Sequence, residues 1–180
     1  MKVLNAFLLL GATLLSTAQS RSAVGSPALH TVEHVDLTRY SGKWYEIARY
    51  PNRFQRNCQS DTSATYTLRK DGKVQVVNTC LEKNGKMKTA RGTANIADKQ
   101  TNAKLRVTFF WPFYGDYWVV GLDPEYRYAI VGEPQRKYLW ILSRTPEMTG
   151  DMYRQALEQV QALGYDPARL LKTKHTAQTS

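Results

Sequence analysis

The stretch YSGKWYEIARYPNRFQRNC, residues 40–58, decides how this chain folds. Ser41-Gly42 reads as a tight turn, and Trp44, Tyr45, Ile47 and Tyr50 follow it as a first strand. Pro51-Asn52 then breaks any regular structure. A core tryptophan usually sits in the middle of a strand. Trp44 comes two residues after a glycine, at the strand's entrance, which is where a side chain would plug something.

Downstream, short strands alternate with turn signals. Residues 62–70 and 73–80 flank Asp71-Gly72, the strongest short hairpin signal, and a hairpin centred there sets position 80 opposite 63. Further strands are predicted over 86–97, 103–110, 116–122, 127–132 and 137–144, separated by Asn84-Gly85, WPFYG, DPEY and Glu133-Pro134. That makes eight strands in simple succession. An open meander would leave two unpaired edges. Closure into an up-and-down barrel removes them and leaves an interior for one small ligand. The predicted fold class is therefore all-β: an eight-stranded antiparallel up-and-down barrel. After the strands, Met152, Ala156, Leu157, Val160 and Leu163 recur at helical spacing, with Gly164 and Pro167 to end the run. One helix is expected, packed on the barrel's outside, with ARLLKT (168–173) as a short last strand.

The first residues read as a targeting segment. Lys2 precedes an apolar run from Val3 to Leu15, followed by Ser16-Thr17-Ala18. This is the pattern of a secretory signal peptide over 1–18, cleaved after Ala18 or alternatively Ser20. The run is shorter than the roughly 20 residues that span a bilayer, and no cysteine follows it to accept a lipid. A loose leader (19–35) with few periodic apolar residues, one domain (36–174) and a short tail (175–180) complete the organisation. The expected location is the exported space: periplasm or outer-membrane-associated in a bacterium, extracellular otherwise. Export permits a disulfide, and the two cysteines, Cys58 and Cys80, are expected to pair near the mouth. The formal net charge of +10 suits an anionic membrane surface as well as plain solubility. No nucleic-acid motif accompanies it.

In a meander the connections alternate ends. Gly42-x-Trp44, Asp123-x-x-Tyr126 and Arg144 then converge on one end, where a guanidinium across the indole makes a cation–π floor. With GKW (42–44), LDPEYRYAIV (122–131) and LWILSR (139–144) in order, the chain resembles the lipocalins. The longer strings GKWYEIAR, LRVTFFWPFYG and YLWILSRTP resemble the bacterial outer-membrane lipocalin and apolipoprotein D branch in particular. The resemblance covers residues 31–173. It implies storage or transport of a small hydrophobic molecule, with fatty acids and lysophospholipids as the expected ligands. No Ser-His-Asp or paired-carboxylate arrangement is legible and the histidines, His30, His34 and His175, lie near the termini, so no enzymatic activity and no cofactor are expected. In that bacterial branch the Tyr matching Tyr114 is a ligand-contacting candidate.

The open end carries FFWPFYGDYW (109–118), which places Phe109, Trp111, Phe113, Tyr114 and Tyr117 at or near the mouth. They suit either an entering lipid tail or simple packing of the loop. Strand parity with Trp44 turns Glu46 and Ala48 inward, and Tyr66, Leu68, Trp140 and Leu142 line the interior. An inward Glu46 is costly unless it pairs with a Lys or Arg or keeps its proton. Two other readings compete: an isomerase-type enzyme using a cavity cysteine, and a basic protein that binds membrane surfaces without filling its cavity. His30 and His34 are two ligands in a leader, too few for a closed metal site. Monomer and homodimer are equally compatible with the sequence.

Overall fold

The computed structural model describes residues 27–176; the expected signal peptide and the extreme C-terminus lie outside them. Eight strands follow one another, each antiparallel to the last: β1 (Gly42–Arg49), β2 (Cys58–Leu68), β3 (Val74–Glu82), β4 (Met87–Ile96), β5 (Lys104–Phe110), β6 (Phe113–Leu122), β7 (Tyr128–Gly132) and β8 (Leu139–Ser143). β1 pairs with both β8 and β2, so the sheet closes into a barrel. A helical turn, α1 (Leu37–Tyr40), precedes the barrel, and α2 (Gly150–Ala162) follows it. A two-residue strand, β9 (Leu171–Lys172), joins the free upper half of β1.

Alternation along the strands sorts apolar side chains into two layers. Trp44, Ala64, Tyr66, Val74, Val76, Ala94, Leu105, Val119, Val131 and Leu142 fill the interior. Ile47, Ala48, Tyr50, Val120, Tyr128, Ile130, Leu139 and Ile141 face outward and are covered by Ala156 and Val160 of α2. Thr149 caps that helix by accepting from the Met152 N–H, and Asp151 in the first turn suits its positive end. β7 and β8 are apolar on both faces because one face meets the cavity and the other meets the helix.

Four expectations are corrected. The leader does not hang loose: Val32 N–H donates to Val119 O, Val35 N–H donates to Thr101 O, and Leu29 and Val35 are buried. Their apolar side chains pin the leader to the barrel. The first hairpin is one residue out of the expected register, pairing Ser63 with Thr79, because residues 69–73 form its turn rather than Asp71-Gly72 alone. Ala48 points outward. A bulge between Glu46 and Ala48 adds a residue to β1 and reverses the alternation above it. Leu68 keeps the inward parity but lies at the end of β2 and is half-exposed, so it lines nothing.

Candidate functional site

The barrel has a closed end, an apolar lower interior, a polar upper interior and an aromatic rim. At the closed end the Arg144 guanidinium lies 3.8 Å above the Trp44 ring centroid. Its Nη1 donates to the carbonyls of Ser41 and Lys43 at 3.0 and 3.1 Å, and its Nη2 to that of Arg39. Its Nε reaches the Tyr126 carbonyl at 3.4 Å. Trp44 Nε1 donates to Tyr40 O at 2.8 Å, so α1 is tied beneath the indole. Gly42 makes this approach feasible. Its φ is +100°, and a Cβ there would stand 3.3 Å from Arg144 Nη1. Asp123 receives Arg127 through Nε and Nη2, which holds its carboxyl below the usual range, and Tyr126 accepts from the Asp36 N–H. Gly42, Trp44, Asp123, Tyr126 and Arg144 are thus brought together at one end of the barrel.

Above the floor stand three tyrosines. Tyr40 and Tyr117 hydroxyls are 2.7 Å apart, and Tyr117 donates to Tyr66 at 2.9 Å. Burial raises all three phenols, that of Tyr66 to about 12. Around them Val35, Leu37, Val74, Ala94, Leu105, Val107 and Val119 enclose a small cavity. Its volume is about 10 Å³, room for about one water. Tyr117, expected near the mouth, is instead deep in the barrel. It lies mid-strand opposite Leu105, four residues below the β5–β6 turn. Tyr40 was not among the sequence candidates; α1 is too short to announce itself by periodicity.

The upper interior is polar. Glu46 is buried and accepts from Gln55 Nε2 and Thr173 Oγ1, while Arg49 Nε lies 3.1 Å from its Oε1 without pointing along a hydrogen bond. Burial pushes the Glu46 carboxyl upward, and Thr173, Gln55, Arg49 and His175 oppose that rise. Trp140 Nε1 donates to Gln55 Oε1 at 3.0 Å, so the β1–β2 loop dips into the barrel as a polar stopper. His175, read from sequence as tail, bonds the Glu46 carbonyl, and Thr176 bonds Asp61. Arg49, Gln55 and Thr173 escaped the sequence reading because the bulge and the returning C-terminus carry no period-2 signal.

At the mouth, Phe109, Trp111, Phe113 and Tyr114 are all exposed, and Phe110 stacks on Phe113. Phe110 at 75%, Trp111 at 76% and Phe113 at 71% exposure present most of their surface to solvent. Arg53, Arg56, Lys83, Lys86, Lys88 and Arg91 stand exposed on the loops and strands around them. Cys58 and Cys80 are joined, bracing the first loop against β3 at this end. Pairing of β4 with β5 stops at Thr93–Thr108. Beyond it Phe109 lies against Gly92, where a Cβ would stand 2.8 Å from its ring. A cleft of about 260 Å³ opens there, lined by Gln75, Arg91, Gly92, Thr108, Phe110 and Trp111.

Comparison with known proteins agrees with this architecture. A family model described as a lipocalin-like domain matches residues 35–175. The chain is 44% identical over 153 residues to temperature-induced lipocalin-1 of Arabidopsis thaliana, covering 81% of this chain and 82% of that protein. It is 43% identical over 141 residues to the outer membrane lipoprotein Blc of Escherichia coli, covering 78% and 79%. Bovine apolipoprotein D is 35% identical over 122 residues, 63% of each chain. On its barrel, its floor and these matches, the chain belongs to the lipocalin family.

Proposed function

We propose that this protein carries a single-chain amphiphile, a fatty acid or a lysophospholipid, for lipid storage or transport in an exported compartment. The tail lies in the apolar lower barrel and the anionic head stays at the basic mouth. The observation that carries this reading is the asymmetry of the barrel: one end sealed by Trp44 and Arg144, the other ringed by exposed aromatics and cations. Ligand pockets commonly measure about 300–1,000 Å³, far more than the free space here. An entering tail must therefore move side chains. Phe109, half out of the barrel at the unpaired β4–β5 seam, and Gln55, on the loop above, are the ones placed to yield. Phe109, Trp111, Phe113 and Tyr114 then guide the chain inward, Trp140 and Glu46 line its upper path, and Tyr66 and Tyr117 meet its end.

The exposed rim favours one addition. Rings with cations around them suit transient contact with an anionic membrane, where the cargo would be collected and released. A cavity-cysteine enzyme fits poorly, since both cysteines are bonded to each other. The test is titration with a fluorescent fatty acid, followed by displacement with palmitic acid and lysophosphatidylcholine. Saturable one-to-one binding in the micromolar range or tighter is expected. No uptake by folded protein overturns the carrier reading and leaves the surface-binding one.

A further inference from the structure

A hydroxyl carries one proton. Tyr117 spends its proton on Tyr66, so the hydrogen bond between Tyr40 and Tyr117 must be donated by Tyr40. The order runs Tyr40 to Tyr117 to Tyr66, and the proton of Tyr66 is left over. Among the described residues no acceptor receives it. The other cavity-lining side chains besides the tyrosines and Ser41 are aliphatic, and the Ser41 hydroxyl is engaged with Leu37 O. Tyr66 itself is 7% exposed. A buried donor without a partner is costly, and the space beside it admits about one oxygen-sized atom.

We propose that the closed end of the barrel recognises an uncharged oxygen acceptor at the far end of the ligand's chain, through the spare proton of the Tyr66 hydroxyl. The preferred cargo is thus an amphiphile oxygenated near its tail, as a hydroxyl, ether or carbonyl. The inference rests on the carrier reading above and refines it.

A charged oxygen does not fit this end. The cation in the floor, Arg144, is committed to the Trp44 face and to backbone carbonyls on the far side of the indole. A carboxylate among the three phenols would be buried without a counter-ion. Burial also keeps the phenols themselves neutral. At the mouth, where Arg53, Arg56, Lys83 and Lys86 stand exposed, a charged head stays hydrated, so the two ends of the barrel suit two different oxygens.

The test compares palmitic acid with its ω-hydroxy analogue in displacement of the same fluorescent fatty acid. One added neutral hydrogen bond gives the ω-hydroxy acid about a fivefold to tenfold advantage. In Tyr66→Phe the ratio of the two affinities falls to about one. Equal binding by the wild-type protein, as when water alone occupies the niche, overturns the proposal; so does a preference that survives in Tyr66→Phe. Failure of both acids to bind overturns the carrier reading itself, a different result. Should the variant not fold, the wild type decides alone. The advantage must vanish when the hydroxyl is moved to mid-chain, and an advantage that persists there overturns the proposal.

Discussion

Replacing Arg144 with Met tests whether the floor is held by its charge. Methionine keeps most of the apolar stem and removes the guanidinium. The lost cation–π contact, at 3.8 Å and partly desolvated, is worth about 1–2 kcal/mol. The carbonyls of Ser41, Lys43 and Arg39 lose a charged donor. They lie near the surface and can turn to water, so about 0.5 kcal/mol each is the appropriate scale rather than the buried value. The sum is about 3 kcal/mol. For a domain of this size that lowers Tm by about 6–12 °C. Urea unfolding followed by far-ultraviolet circular dichroism reads it as a lower midpoint with an unchanged slope. A loss below about 1 kcal/mol would refute the reasoning, because it would leave Trp44 held by packing alone.

Three further outcomes follow from the same geometry. Replacing Cys58 and Cys80 together with Ala opens a link across 22 residues and costs about 3 kcal/mol in the chain-entropy account, read by the same urea titration against the intact protein. Glu46 gives a pH signature. Burial raises its folded pKa above the ordinary 4.5, so the folded state holds this proton to higher pH than the unfolded chain does. Its contribution is therefore greatest below the ordinary value and falls as pH rises through and beyond it. Relative to wild type, Glu46→Gln should gain stability on going from about pH 4 to about pH 7, and a difference that stays flat or runs the other way would contradict this. Phe110→Ser with Trp111→Ser removes two rings that could each bury on the order of 100 Å² in a bilayer, worth several kcal/mol. Sedimentation with anionic vesicles should show binding weakened more than tenfold, and unaltered binding would remove the membrane contact from the account.

The barrel was legible because its signals are local. Alternating runs between Asp-Gly and Asn-Gly turns mark strands, and counting them forces closure. The floor was legible too, since Gly42, Trp44, Asp123, Tyr126 and Arg144 sit at strand ends whose placement follows from counting connections. The upper interior was not. One inserted residue in β1 turns Ala48 outward, and nothing in the apolar pattern marks the bulge. Gln55 enters from a loop, and Thr173 and His175 return from the far end of the chain to meet Glu46. Such contacts depend on tertiary closure rather than on period. Tyr117 shows a second limit: its chain neighbourhood is the aromatic mouth, but its depth is set by the length of β6.

The central claim is that the barrel carries a single-chain lipid. Native mass spectrometry of the exported protein, followed by organic extraction, tests it most directly. The account predicts a bound species with the mass of one fatty acid or lysophospholipid, recovered in the extract. Empty protein that also fails to take up an added fluorescent fatty acid would contradict it.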